Sequence, residues 1–261
     1  MARSPVLNVM VQAVMKAGRA MRRDFGEVEQ LQVSAKGPGD FVTAADRKAE
    51  ETLFAELSRV RPGYGFVMEE RGEVAGTDPD HRWIVDPLDG TTNFLHGIPM
   101  FAISVGLERA GQLVAGVVFN PITDELYTAE RGGGAYLNDR RLRVAARRDL
   151  VDAVIACGVP HLGRPAHDLF REELGRIQGR VSGIRRFGAA SLDLAYVASG
   201  RLDGFWERDL KSWDLAAGLL LVREAGGFVT DAAGGDAMLA RGSVVCGNEA
   251  IHGQLLKLVK G

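Results

Sequence analysis

Apolar residues at Val6, Leu7, Met10, Val11, Val14, Met15 and Met21 fall on one helical face, so the spacing predicts a helix over 5–25 that ends near Gly26. A second helix is expected over 43–60, opened by Thr43 with Asp46 three residues on, as in a capping box, and closed by Pro62-Gly63. Between them, Lys36-Gly37-Pro38-Gly39-Asp40 reads as a turn-rich loop. Short apolar runs at 64–68 and 82–86 read as strands. Residues 101–137 read as an antiparallel meander with turns at Ala110-Gly111, Asn120-Pro121 and Gly132-Gly133-Gly134.

From about residue 150 the pattern alternates. It predicts strand 153–157, helix 166–179, strand 183–187, helix 189–199, strand 203–207, helix 212–225, strands 227–230 and 243–246, and helix 249–259. A layered α/β half packed on an α+β half follows. With no Pro- or Ser-rich linker, internal repeat or low-complexity segment, one domain over 1–261 is expected, its subdomains of about 1–148 and 149–261 sharing a cleft.

Composition narrows the partners. The chain has 261 residues, 46% of them apolar, and a formal charge of −2, so it can build a sizeable core and has no global attraction for nucleic acid or membrane. Arg140, Arg141, Arg143, Arg147 and Arg148 form a local basic cluster, best read as solvated surface. Cys157 and Cys246 are far apart in apolar settings and read as small buried hydrophobes, which fits a reducing cytoplasm. There is no signal-peptide core, and no run approaches the roughly 20 apolar residues that span a bilayer. The Arg-containing segment 6–25 is a core helix by its periodicity rather than a transit peptide.

The densest chemistry lies in Trp83-Ile84-Val85-Asp86-Pro87-Leu88-Asp89-Gly90-Thr91-Thr92-Asn93-Phe94. Pro87 is expected to end the strand, leaving Asp86 where the chain exits the sheet. Gly90 allows close approach of backbone amides to a ligand, and Thr91-Thr92-Asn93 reads as a first helical turn. Taken alone, D-x-x-D-G is equally a turn or a site for a divalent cation and phosphate. Other acids share its placement at strand ends or helix starts: Glu69-Glu70, Asp46, Asp214, and Glu207, for which pairing with Arg208 is the bland alternative. Two or three Mg²⁺ ions held by shared carboxylates would activate a water and neutralise a phosphate. No H-x-x-x-H or C-x-x-C occurs, which disfavours zinc, and there is no Walker A, G-x-S-x-G or G-x-G-x-x-G.

These residues resemble the signature motifs of the inositol monophosphatase family: Glu69-Glu70, the run from Trp83 to Phe94, and Trp213-Asp214-Leu215-Ala216-Ala217-Gly218. The likeness extends through Asp40-Phe41-Val42-Thr43-Ala44-Ala45-Asp46 and Glu224-Ala225-Gly226-Gly227. It is greatest to bacterial SuhB-type members, in Leu192-Asp193-Leu194-Ala195-Tyr196-Val197-Ala198 and Gly200-Arg201-Leu202-Asp203-Gly204-Phe205. The resemblance implies an α+β fold, a layered αβαβα sandwich shared with fructose-1,6-bisphosphatases. It further implies Mg²⁺ dependence, inhibition by Li⁺, and a homodimer.

By the same resemblance, Glu69, Asp86, the Leu88 carbonyl, Asp89 and Asp214 hold metal, with Glu69 also reaching a third ion. Asp46 and Thr91 match a pair that orients and deprotonates the attacking water. The amides of Gly90 and Thr91 would seat the phosphate. Asp89, Gly188, Ala189, Ala190, Glu207 and Asp214 would surround the substrate.

Met68 stands where many members have Gly, and Ala189 replaces a Thr or Ser, which removes a hydroxyl from the substrate loop. Expected activity is phosphomonoester hydrolysis, with myo-inositol monophosphate as the leading substrate. Fructose 1,6-bisphosphate, histidinol phosphate, adenine bisphosphate and NADP remain alternatives. SuhB-type relatives also imply a role in transcription antitermination with RNA polymerase and Nus factors, for which Arg185-Arg186 and the Arg140–Arg148 surface would be candidates.

Overall fold

The computed structural model describes residues 3–26, 33–37 and 40–261, so Pro38-Gly39 of the expected loop lie outside the described residues. The chain begins α1 (Pro5–Phe25), β1 (Val33–Gly37), β2 (Asp40–Thr43), α2 (Ala44–Val60), β3 (Tyr64–Met68), β4 (Gly72–Val74), β5 (Asp78–Asp89) and α3 (Thr91–Leu95). The meander follows as β6 (Ala102–Arg109), β7 (Gln112–Asn120), β8 (Glu125–Glu130), β9 (Gly134–Leu137) and β10 (Arg140–Arg141). Next come β11 (Val154–Cys157), α4 (His167–Gln178), β12 (Gly183–Arg185), α5 (Ala190–Ala198) and β13 (Gly204–Glu207). The chain closes with α6 (Ser212–Glu224), β14 (Phe228–Thr230), α7 (Met238–Arg241), β15 (Val244–Gly247) and α8 (Glu249–Lys260).

Two large sheets organise these elements. The first has eight strands in the order β10-β9-β8-β7-β6-β5-β3-β4, antiparallel except where β3 runs alongside β5. The second has five in the order β12-β11-β13-β15-β14, parallel across its first three strands and antiparallel beyond. Alternation along the strands sends side chains to opposite faces. Trp83, Val85, Val117 and Phe119 join a core with α1 and α2, whereas Ile84 and Val118 join the core of α5 and α6. On the far side of the second sheet, Ile177 of α4 and Ile251, Leu255 and Val259 of α8 cover Ile155, Trp206 and Val245.

The order is therefore helices, sheet, helices, sheet, helices, the αβαβα sandwich expected. Its central position explains α5, in which every residue is buried. A helix with no polar face is stable only when surrounded by protein. α6 lies close to the first sheet because Gly106 and Gly116 face it. A Cβ on Gly106 would meet that of Ala216 at 2.8 Å, and one on Gly116 would meet Ala217 Cα at 3.0 Å.

One expectation is corrected. β5 does not stop at Asp86 but runs on to Asp89, with a register shift where Asp86 faces Ser104 and Asp89 faces Ala102. On its other side the ladder to β3 ends at the pair Met68 and Val85. Pro87 sits in that irregularity, beyond the last partner on one side, where its missing N–H forfeits no ladder bond.

The five arginines of the basic cluster, Arg140, Arg141, Arg143, Arg147 and Arg148, are all exposed, as expected of solvated surface. Arg140 and Arg141 form the exposed edge strand β10, where charge discourages further pairing. Arg147 pairs with the buried Asp203 at 3.0 Å. Both cysteines are buried, and burial pushes the Cys157 thiol up to about 12. No described helix is long and apolar enough to cross a membrane.

Candidate active site

Three chain segments meet because the first sheet aligns them. Glu69 follows Met68, whose partner is Val85, so it lies one step on, alongside Asp86. On the other flank Ser104 faces Asp86, and its hydroxyl donates to the carbonyl of Trp213 at 3.3 Å, bringing the start of α6 and Asp214 to the same strand. Gly90 has φ +94° and caps α3. A Cβ there would lie 2.9 Å from the Met100 carbonyl oxygen, so glycine is needed for both conformation and space.

The aspartates share a device: each commits one oxygen to backbone N–H groups, which fixes its rotamer. Asp86 Oδ1 accepts from Leu88 N at 2.9 Å. Asp89 Oδ2 accepts from Ser191 N at 2.7 Å and from the Ser191 hydroxyl at 2.5 Å. Asp214 Oδ2 accepts from Lys211 N at 2.7 Å. Asp46 Oδ2 accepts from Thr43 N at 2.8 Å and from the Thr43 hydroxyl at 2.5 Å, completing the capping box. Its Oδ1 lies 3.2 Å from Thr91 Oγ1, which also stands 3.1 Å from the Leu88 carbonyl. The helix-start explanation of Asp46 and Asp214 is thus true of one oxygen each, and the second is left for other work.

Glu69, Asp86, Leu88, Asp89, Gly90, Thr91, Gly188, Ala190, Glu207 and Asp214 all line one cleft of about 180 Å³. Asp46 lies behind Thr91, fully buried. Ala189 does not line the cleft; it is 1% exposed, and its methyl packs beneath Gly90. Glu207 does not pair with Arg208, which instead bonds to Glu173 at 2.7 Å. His161 reaches the cleft wall, yet its Nδ1 contacts the Leu162 carbonyl at 2.9 Å and its Nε2 contacts Arg164 at 3.3 Å.

Several wall residues carry no motif and escape a sequence reading: Gly158, Arg164, Ser191 beneath the wall, and Glu173. Ser191 had one legible signal, a hydroxyl at the start of an expected helix. Gly158 had none, since its role depends on a side chain 49 residues away.

Burial first, and for most of them neighbouring acids as well, raises Asp46, Asp86, Asp89, Glu207 and Asp214. Asp86 is pushed well above the usual carboxylate range by burial and then by Glu69, Asp89 and Asp214. Burial, then Asp89, lifts Asp214 to about 7. Glu207 rises to about 8 through burial and the charges of Asp214 and Asp89, with Arg186 and Arg164 opposing. Burial also raises Asp46, against the hydrogen bonds of Thr43. Among the described residues, no three acidic, His or Cys side chains already enclose one point as a closed metal cage. The donor set still fits divalent cations: it is all oxygen, its charges repel one another, and hard ions such as Mg²⁺ take carboxylates and carbonyls.

Comparison with known proteins gives the family of the chain. The family model for the inositol monophosphatase family matches residues 2–261. The chain is 70% identical over 260 residues to an inositol-1-monophosphatase of Mesorhizobium japonicum, covering 100% of this chain and 98% of the relative. It is 42% identical over 247 residues to the Nus factor SuhB of Escherichia coli, covering 95% and 92%. The crystal structure of the extragenic suppressor protein suhB from Bartonella henselae superposes with a TM-score of 0.96 at 61% identity, covering 98% of this chain and 99% of that one. The chain belongs to the inositol monophosphatase family and is an enzyme of the phosphatase class.

Proposed function

We propose that the chain hydrolyses small phosphate monoesters, with inositol monophosphate as substrate, in a reaction that depends on Mg²⁺. The observation that carries this reading is the convergence of Glu69, Asp86, Asp89 and Asp214 from three separate chain segments on the cleft that also holds Thr91. Two or three Mg²⁺ ions held there by Glu69, Asp86, Asp89, Asp214 and the Leu88 carbonyl would supply an activated water and neutralise phosphate charge.

The protein's own groups do the rest. Asp46, fixed by Thr43 and 3.2 Å from the Thr91 hydroxyl, orients the attacking water through Thr91 and accepts its proton. Amides of Gly90 and Thr91 seat the phosphate. Glu207, Asp89, Gly188 and Ala190 face the alcohol, and the name of the Mesorhizobium relative favours inositol over sugar or nucleotide phosphates.

The test is a panel of phosphate monoesters, including fructose 1,6-bisphosphate, histidinol phosphate, adenine bisphosphate and NADP, assayed with Mg²⁺ and with added Li⁺. Inositol monophosphate should lead, Li⁺ should inhibit, and Asp89→Asn should abolish most turnover. Near-normal activity of Asp89→Asn sinks the reading. Exposed Ile98, Val159, Leu162 and Leu169 favour a homodimer, for which sedimentation at several concentrations is decisive.

A second reading is a regulatory role in transcription antitermination, favoured by the likeness to relatives named Nus factor SuhB. Arg185 and Arg186 are exposed and offer a basic contact. Affinity capture from native lysate with no enrichment of RNA polymerase or Nus factors counts against it.

A further inference from the structure

We propose that Ser191 is a positioning residue of the cleft, holding Asp89 so that one carboxylate oxygen is committed and the other is presented to a divalent cation. The proposal rests on the reading of the cleft as a divalent-cation site. Ser191 is fully buried, the second residue of α5, yet its hydroxyl bonds outside its own helix. Backbone N–H and hydroxyl converge on the same oxygen, Asp89 Oδ2, at 2.7 and 2.5 Å across 102 residues of sequence. Asp89, the last residue of β5, thereby takes the place of a side-chain cap on a helix of the central layer, since Ala189 at the cap position has no side-chain donor or acceptor.

Two donors on one oxygen differ from one. A single N–H leaves a carboxylate free to swing about that bond and to exchange its oxygens. Adding the hydroxyl fixes the plane of the group, and partners that orient a ligating carboxylate control affinity for the ion. A serine that only completed α5 would bond within its own first turn. Here the hydroxyl is spent on an acid that lines the cleft.

Mg²⁺ binding by the substrate-free protein, measured by calorimetry and by Mg²⁺-induced thermal stabilisation, tests this without reference to turnover. Ser191→Ala should keep the fold and weaken Mg²⁺ binding by about tenfold, within the range for such outer partners. Ser191→Cys, nearly isosteric with a weaker donor, should fall between, and keeps the test open if the alanine variant does not fold. A lower Tm with unchanged Mg²⁺ affinity in both variants means a purely structural serine and overturns the proposal. Asp89→Asn separates the two levels. If it binds Mg²⁺ as the parent protein does, the cation reading itself fails; if it loses binding while the Ser191 variants retain it, only the role of Ser191 fails.

Discussion

The carboxylate of Glu207 occupies the space in which a side chain on Gly158 would sit. A Cβ at 158 would lie 1.8 Å from Glu207 Cδ and 2.0 Å from Oε1, so the end of β11 is bare in order that the end of β13 can fold over it. The two strands are neighbours in the second sheet, with Cys157 facing Trp206, and the contact sets the height of Glu207 in the cleft.

Gly158→Ala therefore displaces Glu207 with no change to any charged residue. The expected result is a rise in KM of about tenfold, worth about 1.4 kcal/mol of substrate binding, with kcat at saturation less affected. Steady-state kinetics on inositol monophosphate provide the check, and an unchanged KM would mean Glu207 does not contact substrate.

Thr91→Ala removes the hydroxyl that lies between Asp46 and the Leu88 carbonyl, at 3.2 and 3.1 Å. Loss of a positioned proton-transfer partner costs roughly a hundredfold or more in turnover. Mg²⁺-induced thermal stabilisation should persist, because the aspartate carboxylates remain. Loss of Mg²⁺ binding along with activity would recast Thr91 as part of the cation site.

The raised acids make the metal-free protein sensitive to pH. Asp214 at about 7 and Glu207 at about 8 hold protons in the folded state that the unfolded chain releases near 3.8 and 4.5. A group raised in this way favours the fold fully below its unfolded value, and the benefit is lost as pH rises through the folded value. In the presence of a chelator, Tm should thus decline between about pH 5 and pH 8. Added Mg²⁺ should restore more at pH 8 than at pH 5.5, since cations bind the ionised carboxylates. A Tm that rises with pH in chelator contradicts the assignment.

Asn93 ties the metal motif to the substrate loop. Its Nδ2 donates to the Met100 carbonyl at 2.6 Å and the Phe187 carbonyl at 2.7 Å. Asn93→Ala removes the donor to two carbonyls of half-buried residues, costing about 1–2 kcal/mol of stability, and frees the segment before Gly188. Denaturant unfolding should register the loss, and kcat/KM should fall more than the Mg²⁺ affinity does.

Much of the architecture was legible because periodicity reports burial. The face of α1 from Leu7 to Met21 and the alternation around Trp83 and Val85 need no knowledge of the partner surface. β5 was read too short, for Pro87 signals an ended strand only where a neighbour needs its N–H, and the ladder to β3 had already stopped at Val85. The acids were legible as a set but each had a local excuse. For Asp46 and Asp214 that excuse, a cap at a helix start, accounts for one oxygen each.

The sequence by itself determined the family, through motifs of residue identity at short spacing, and with the family the layered fold and type of chemistry it implies, while hydrophobic period placed most of the helices and strands. Only the tertiary structure decided which oxygen of each carboxylate is committed, that Ser191 holds Asp89, that Ala189 turns beneath Gly90, and that Glu207 rests on Gly158 rather than pairing with Arg208. Those relationships join residues tens to a hundred positions apart, and their cause is the packing of two sheets on α5 and α6, which no local pattern of side chains encodes.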